Sequence, residues 1–198
     1  MSTPTKKKET LRTELRTRRR QLYKSADLKT FKALADNFFR ALPSLFNPST
    51  VAGYYPLGSE INPLPLLEAL EQGGTQVALP VVVKENAPLE FRFFKTGDKL
   101  KKGLEGAMEP LKTAKTTNPD IVLVPLLGFD ETGNRIGQGK GYYDRTLGAL
   151  RKERAVLAIG LAFEGQREKA LPFEAHDQDL DAVITEARCW VFRSGKAA

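Results

Sequence analysis

The spacing of apolar residues divides the chain into a helical beginning and an alternating remainder. Up to residue 42 the apolar positions recur every three or four residues, the period of an α-helix. A mostly polar helix with a thin leucine stripe is predicted over Thr10–Tyr23, and a second helix runs from Ser25, as N-cap, to the residue before Pro43. The second helix has an apolar face that indicates core packing: Leu28, Phe31, Leu34, Ala35, Phe38, Phe39 and Leu42.

After residue 49, short β-branched or aromatic runs alternate with helical segments. This alternation predicts an α/β fold with a largely parallel sheet, which binds ligands beyond the carboxyl ends of its strands. A Lys- and Gly-rich segment, Thr96–Thr117, is expected to be mobile, and a surface excursion is favoured there over a lid. The predicted strands are Thr50–Tyr55, Thr75–Val83, Leu89–Lys95, Asp120–Val124, Ala155–Leu161 and Ala182–Thr185, and the predicted helices are Pro63–Glu71 and Lys140–Arg151.

Basic residues are concentrated at the amino terminus. The net charge is +7, and the first 24 residues carry nine bases and two acids, so the remainder is neutral, with 22 of each sign. A basic arm suggests a polyanionic partner, either nucleic acid or a phosphate-bearing small molecule, whereas the alternative is a solvated helix face. Its bases scatter around the predicted helix and form no single stripe.

The length and the cysteine content narrow the class of protein. A chain of 198 residues fits one domain with its own core. The single cysteine, Cys189, excludes an intramolecular disulfide and a cysteine-built metal site, and with Trp190 it is predicted to lie in the core. The charged amino terminus is unlike a signal peptide, and no apolar run reaches the roughly 20 residues of a membrane helix. We therefore expect a soluble, cytoplasmic monomer.

The segment Val124–Asp144 crowds glycines, charges and two tyrosines at a predicted strand-to-helix junction. Its glycines let the backbone take positive φ and approach a ligand closely, so that backbone N–H groups can point at phosphate oxygens. Lys140 adds a point charge, and Asp144 offers a hard oxygen ligand for a metal ion. The four glycines are Gly133, Gly137, Gly139 and Gly141.

The glycine spacing matches neither familiar nucleotide motif. A P-loop requires Ser or Thr after its lysine, but Gly141 follows Lys140, and Asn134 stands at the upstream glycine position. A Rossmann turn would need its third glycine one residue later. From spacing alone, the loop is either a phosphate-binding turn or a turn whose glycines serve geometry only.

The longer string from Gly128 to Asp144, Gly-Phe-Asp-x-x-Gly-Asn-Arg-Ile-Gly-x-Gly-Lys-Gly-Tyr-Tyr-Asp, is far more specific. It resembles the signature of the 5-formyltetrahydrofolate cyclo-ligases, also called methenyltetrahydrofolate synthetases. Further landmarks of that family occur in order, so the resemblance covers nearly the whole chain. These landmarks are Lys8-x-x-x-Arg12, Tyr54-Tyr55-Pro-Leu-Gly-Ser-Glu60 and His176-Asp177-Gln-Asp-Leu-Asp181.

The resemblance implies a fold and a set of ligand contacts. The expected fold is a single three-layer α/β/α domain over residues 1–198, similar to the NagB/RpiA/CoA-transferase-like fold, with a basic helix at about 8–24 contributing to the nucleotide site. ATP is expected at Lys8, Arg12, Arg135, Ile136, Gly137, Gln138, Gly139, Lys140, Gly141, Tyr142 and Tyr143. The folate is expected at Tyr55, Glu60, Gln138, Gly139, Lys140, Gly141 and Tyr142, and Mg²⁺ at Asp144 and Asp177.

The implied reaction is the ATP-dependent closure of 5-formyltetrahydrofolate to 5,10-methenyltetrahydrofolate, with release of ADP and phosphate. ATP phosphorylates the formyl oxygen, N10 attacks the activated carbon, and phosphate leaves. Such chemistry depends on positioning and charge stabilisation, for which Lys140 and Arg135 are the expected catalytic groups. The partners are small molecules, with no specific nucleic acid and no membrane.

One departure from the family pattern stands inside the loop. Many members have Arg where this chain has Gln138. Gln can donate hydrogen bonds but offers neither a charge nor a bidentate fork to a phosphate. We expect nucleotide binding to survive, with a weaker affinity or an altered substrate preference.

Several roles keep an alternative. Asp144 could instead pair with Arg145 or Arg151, and the tyrosines of the loop could stack on a ligand or pack in the core. Glu60 could be an exposed acid, Asp179 or Asp181 could replace Asp177, and His176 is expected to have a structural turn role. Two other functions remain: a nucleic-acid-binding protein that uses the basic arm, and an ATP-dependent enzyme of this fold with a different acceptor.

Overall fold

The structure is a computed structural model that describes residues 4–45 and 48–192. Four α-helices are present in these residues: α1 (Pro4–Ser25), α2 (Leu28–Leu45), α3 (Leu64–Gln72) and α4 (Tyr142–Glu153). The strands are β1 (Thr50–Ala52), β2 (Gln76–Val81), β3 (Glu90–Phe93), β4 (Leu100–Lys102), β5 (Met108–Pro110), β6 (Thr116–Thr117), β7 (Ile121–Pro125), β8 (Gly128–Phe129), β9 (Arg135–Ile136), β10 (Leu157–Leu161), β11 (Ala182–Ile184) and β12 (Cys189–Val191).

One sheet organises the described part of the chain. Its eight strands lie in the order β12, β11, β10, β7, β1, β2, β3, β6. The five from β11 to β2 are parallel, whereas β12, β3 and β6 join antiparallel at the two sides. The pairs β4–β5 and β8–β9 are separate antiparallel hairpins. The predicted α/β fold with a mainly parallel sheet is confirmed.

Helices cover both faces of this sheet. Successive residues of a strand point to opposite faces, and β7 shows the consequence. Ile121 and Leu123 pack in the core cluster that includes α2 and α3 side chains, whereas Val122 and Val124 pack with Leu147 of α4. The expected three-layer α/β/α arrangement therefore follows from strands that are apolar on both sides.

The neighbouring strands β1 and β7 form a topological switch point. The chain leaves β1 through α3 to reach β2 on one side, and it leaves β7 through α4 to reach β10 on the other. Open α/β sheets bind ligands beyond the carboxyl ends of strands at such a point. The loops that follow these two strands, residues 53–63 and 126–141, contain the folate and phosphate segments predicted from the sequence.

The boundary between the first two helices differs from the prediction. Ser25 ends α1, where its Oγ donates to the carbonyl of Leu22, and Asp27 caps α2 by accepting the Thr30 N–H at 2.9 Å. The prediction that the second helix ends before Pro43 is wrong, because α2 continues to Leu45. Proline in the last turn removes only one helical hydrogen bond.

The predicted apolar face of α2 is only partly buried. Leu34 and Phe38 lie in the core, whereas Leu28 is 82% exposed and Phe39 is 38% exposed. The side chain of Leu42 lies outside the described residues. Cys189 and Trp190, predicted as core, are half-buried in the edge strand β12 and pack against the two core clusters.

The segment Thr96–Thr117 lies largely at the surface, as predicted, but it folds into regular strands. The segment forms the β4–β5 hairpin and β6, and β6 extends the sheet beside β3. Glu109 of β5 is buried and accepts the Val82 N–H at 2.9 Å, which fastens the hairpin to the end of β2. Local composition did not reveal this packing because the partners are distant in sequence.

Asp120 fastens the opposite, amino-terminal end of β7. Its Oδ2 accepts the Ser49 and Thr50 N–H groups at 2.9 and 3.0 Å and the Ser49 hydroxyl at 2.7 Å, while Oδ1 pairs with Arg154. Burial alone would raise the pKa of this carboxyl, but the hydrogen bonds and the guanidinium lower it below its ordinary value. Asp120 is therefore a structural carboxylate, remote from the ligand end of the sheet.

Candidate active site

A cleft of about 500 Å³ lies at the carboxyl ends of β1 and β7. Its walls come from α1, the loop after β1, the β4–β5 hairpin, the loop after β7 and the first turn of α4. Every residue predicted from the sequence to contact ATP, folate or metal lines this cleft. Residues from both ends and the middle of the chain thus meet in one place.

The glycine loop takes an unusual backbone path into α4. Gly139 has φ +100° and Gly141, the N-cap of α4, has φ +65°. Gly133 also has positive φ, at +85°, whereas Gly137 does not. The path places the positive end of the α4 dipole and its first N–H groups at the cleft, where an anion is favoured.

One face of α1 presents four cations to the cleft. Lys8, Arg12, Arg16 and Arg19 are spaced by four, four and three residues, which places them on the same side of the helix. The description of the bases as scattered is therefore wrong for these four. Arg16 and Arg19 were missed, although their helical spacing from Arg12 was a readable signal.

Two of these arginines clasp the glycine loop. Arg12 Nε donates to the Gly137 carbonyl at 3.2 Å, and its Cζ lies 3.1 Å from where a Cβ on Gly139 would stand. Arg16 Nε donates to the side-chain oxygen of Gln138 at 2.9 Å. A guanidinium from α1 thus stands beside the position where the loop itself lacks one.

Lys140 extends from the loop toward the β4–β5 hairpin. Its ammonium pairs with Glu105, and the Tyr142 hydroxyl donates to the same carboxylate at 2.9 Å. The hydrogen bond that Lys140 donates to Glu105 raises the pKa of Lys140, and the same bond lowers the pKa of Glu105. Sequence reasoning missed Glu105 because it lies 35 positions from Lys140 in a segment with no recognisable motif.

Each of the two predicted metal ligands forms an ion pair with a different basic side chain. Asp144 Oδ1 accepts from Arg135 Nη2 at 2.6 Å, which is neither of the arginines considered as its alternative partner. Asp177 Oδ2 accepts from Lys8 Nζ at 2.5 Å. Arg135, predicted as catalytic, is thereby held beside Asp144.

The neighbours of Asp177 take different roles. Glu174, His176 and Asp177 place one ligand atom each within 4.8 Å of one another, but the His176 side chain is 74% exposed. Asp181 pairs with Arg151 and accepts the Ala158 N–H, and it does not line the cleft. Among these carboxylates, Asp177 is the one placed to face a ligand together with Asp144.

Among the predicted folate contacts, Glu60 is the buried one, and it marks the deep end of the cleft. Glu60 is 8% exposed, accepts the Leu57 N–H at 2.9 Å and faces Arg19 at 3.6 Å. Burial raises the pKa of Glu60, opposed by the Leu57 amide and the Arg19 guanidinium. Glu60 is therefore not the exposed acid of the alternative interpretation, and Tyr55, from the same loop after β1, also lines the cleft.

Two predicted nucleotide contacts are largely withdrawn into the core. Ile136 is 1% exposed and packs with Leu15 of α1, and its carbonyl accepts the Leu127 N–H at 2.7 Å. Tyr143 packs against the core cluster on the α4 side, and burial raises its phenol pKa above the ordinary range. Tyr142 remains at the rim, with the Arg145 guanidinium 5.3 Å from its ring centroid.

Comparison with known proteins gives these residues a context. The model of the 5-formyltetrahydrofolate cyclo-ligase family matches residues 4–186. The chain belongs to that family. It is 34% identical to a 5-formyltetrahydrofolate cyclo-ligase of Mycolicibacterium smegmatis, over 70% of this chain and 74% of the relative. It is 32% identical to that of Escherichia coli, over 75% of this chain and 84% of the relative.

Solved structures agree with this family assignment. The structure of Aquifex aeolicus 5,10-methenyltetrahydrofolate synthetase superposes with a TM-score of 0.73 at 28% identity, covering 95% of this chain and 96% of the other. Similarity over nearly both full lengths means that the sheet and its flanking helices correspond. Within the described residues, no helix of this family member is long and apolar enough to cross a membrane.

Proposed function

We propose that the protein catalyses the ATP-dependent cyclisation of 5-formyltetrahydrofolate to 5,10-methenyltetrahydrofolate, releasing ADP and phosphate. The observation that carries this proposal is that each cyclo-ligase landmark contributes residues to one cleft at the sheet's switch point. A cytoplasmic monomer that acts on small molecules stays a prediction.

The phosphates of ATP are assigned to the end of the cleft between α1 and α4. Arg12 and the glycine loop supply cations and backbone N–H groups there, and Lys140 stands at the rim. Preorganised donors of this kind stabilise charge spread over a transferring phosphoryl group. Lys140 must exchange Glu105 for phosphate, which an exposed side chain can do at small cost.

The folate is assigned to the other end, where Glu60 and Tyr55 line the cleft. A pterin ring presents neighbouring N–H donors, and an ionised carboxylate such as Glu60 accepts from them. Apolar side chains, among them Val82, Leu89 and Met108, line the same cleft and suit the faces of a planar ring. This arrangement orients the formyl group toward the phosphate end.

Two cleft carboxylates fit a bound Mg²⁺. The hydrogen bonds of Asp144 converge on Oδ1 and those of Asp177 on Oδ2, so within the described residues each retains a second oxygen that accepts no hydrogen bond. Mg²⁺ prefers hard oxygen ligands and keeps several waters beside phosphates. When bound, the ion would neutralise charge on the phosphate oxygens.

The protein's part in the reaction is positioning. Phosphoryl transfer to the formyl oxygen needs the two substrates held in line, after which N10 attacks the activated carbon and phosphate departs. No side-chain nucleophile is required. Arg135 holds Asp144 at 2.6 Å and thereby orients a proposed metal ligand.

The full or partial burial of four cations of α1 in the cleft argues against the nucleic-acid hypothesis. Lys8 and Arg19 are each 4% exposed, and Arg12 and Arg16 are half-buried against the loop. Cations that line an enclosed cleft suit a small phosphate ligand better than a duplex backbone. The remaining alternative, a different acceptor, predicts ATP binding without folate turnover.

The experiment is a turnover assay with purified protein, 5-formyltetrahydrofolate and Mg·ATP, monitored by the absorbance of the methenyl product. The Escherichia coli cyclo-ligase serves as the active control. Product formation that requires ATP and stops when EDTA removes the metal is expected. No product at high enzyme concentration, with the control active, would refute the proposal.

A further inference from the structure

Arg19 is a buried cation that the proposed mechanism does not use. It is 4% exposed and lies on the cleft face of α1, beyond Arg16. Burying a guanidinium is costly unless it is fully paired, and burial lowers the pKa of Arg19 despite the neighbouring carboxylate. The interactions of such a group must offset the free-energy cost of its desolvation.

The contacts of Arg19 join three elements at the folate end. Nη1 donates to the Leu126 carbonyl at 3.2 Å, in the loop after β7, and Nε donates to the Ser59 hydroxyl at 3.2 Å, in the loop after β1. The same Nη1 lies 3.6 Å from Glu60 Oε1. One side chain on α1 thus fixes the position and supplies the countercharge of the carboxylate at the deep end of the cleft.

We infer that Arg19 is a positioning residue that keeps Glu60 an ionised, correctly aimed acceptor for the N–H donors of the folate's pterin ring. This inference rests on the proposed function. Arg19 touches Glu60 and not the reacting atoms, so it acts through Glu60. Its second effect is to join the helix that carries the nucleotide cations to the loop that carries the folate carboxylate.

The charge balance at Glu60 supports this role. Among the described residues, the titratable groups that face Glu60 are Arg19 from α1, Tyr54 from the loop after β1 and Tyr143 from α4. Burial raises the pKa of both phenols, so both remain neutral and Arg19 is the cation of this set. An opposite charge within about 4–6 Å lowers a carboxyl pKa by about 1–3 units.

Removal of Arg19 should therefore raise the pKa of Glu60, because burial would act with less opposition. The carboxylate is the form that accepts N–H donors, and it is present only above its pKa. Folate affinity in Arg19→Met should consequently fall at acid pH and recover as the pH rises. Arg19→Lys retains the charge and should keep most of the wild-type profile.

The test is the equilibrium Kd for 5-formyltetrahydrofolate, measured by calorimetry without ATP from pH 5 to pH 8. Wild type, Arg19→Met, Arg19→Lys and the matched control Arg20→Met are compared. In Arg19→Met the acid limb, the pH range over which affinity is lost on acidification, moves to higher pH, with a Kd increase of about tenfold or more at the acid end. Arg20→Met, which removes an exposed cation of the same helix that does not line the cleft, leaves the limb in place.

Equal loss of affinity at every pH in Arg19→Met and Arg19→Lys would overturn the inference, because it would mean that Arg19 only holds the loops together. Unchanged affinity in Arg19→Met would overturn it as well. If Arg19→Met is too unstable to titrate, the double variant Arg19→Met/Glu60→Gln should have a higher Tm than Arg19→Met, since it no longer buries an unpaired carboxylate. A double variant that is no more stable contradicts the pairing.

The same measurements separate this inference from the proposed function. Wild-type protein that neither binds nor converts 5-formyltetrahydrofolate refutes the function itself. Wild-type protein that binds and converts it, combined with an unshifted acid limb in Arg19→Met, refutes only the role of Arg19.

Discussion

Gly139 lies tightly against Arg12 in the cleft, and this contact makes Gly139→Ala the most informative substitution. A Cβ at Gly139 would lie 3.1 Å from Arg12 Cζ, and the backbone there has φ +100°. Positive φ costs a residue other than glycine about 1–3 kcal/mol. The added Cβ would also push the Arg12 guanidinium, which donates to the Gly137 carbonyl, away by a few tenths of an ångström.

These two terms predict two separate readouts. In a chain of 198 residues, each kcal/mol lowers the Tm by about 2–4 °C, so Gly139→Ala should melt several degrees below wild type. The displaced guanidinium should weaken ATP binding by about tenfold, the lower end of the range for a hydrogen bond to a charged group, because Arg12 is moved and not removed. Arg12→Ala should therefore lose more affinity than Gly139→Ala.

Two other glycines provide matched controls. Gly74 has φ +85° with open space where a Cβ would stand, so Gly74→Ala should lower the Tm and leave ATP affinity unchanged. Gly137 has neither positive φ nor a contact within 4 Å, so Gly137→Ala should change the free energy of unfolding by less than about 1 kcal/mol. Tm by calorimetry and ATP Kd by titration decide the outcome. Gly139→Ala that binds ATP as tightly as wild type would refute the proposed role of Arg12.

Three further predictions concern charged groups. Lys140→Ala should abolish turnover while leaving the Tm unchanged, because its side chain is 62% exposed and its ammonium is aimed at phosphate; full turnover would remove Lys140 from the mechanism. Glu105→Gln should lower the KM for ATP a few-fold, since the ammonium of Lys140 no longer pairs with a carboxylate; a raised KM would indicate that Glu105 instead aids binding. Asp120→Asn should cost about 1–2 kcal/mol at pH 7. Because the folded-state pKa of Asp120 is lowered, this difference is present above the unfolded-state pKa and should shrink as the pH falls below about 4; a Tm difference that is constant down to pH 3 would contradict it.

The residues of the catalytic loop could be predicted because their constraints are local. Gly139 and Gly141 adopt the positive φ that their sequence context indicated, and Asp144 lies in the first turn of the helix that was expected to follow. Each depends on a few neighbouring residues. Strand periodicity likewise depends on the side of the sheet that each residue faces, so the α/β class followed from β-branched runs such as β7.

The partners of these residues could not be predicted in the same way. Glu105 reaches Lys140, Arg135 holds Asp144, and Lys8 holds Asp177 across 169 positions of sequence. An ion pair leaves no local pattern, because either member reads as an ordinary surface charge until the chain brings both together. The contacts that the Thr96–Thr117 segment makes with the cleft and with β2 were not predicted for this reason.

The sequence by itself determined the family, the fold class and the motif residues that meet at the cleft, since periodicity and a long specific motif record local geometry and chemistry. Only the tertiary structure decided which face of α1 turns inward, so that Arg16 and Arg19 join Lys8 and Arg12. That choice depends on Leu15 of α1, which is buried against Leu127 and Ile136. The face that such a helix turns inward is fixed only when its thin apolar stripe packs against a partner surface.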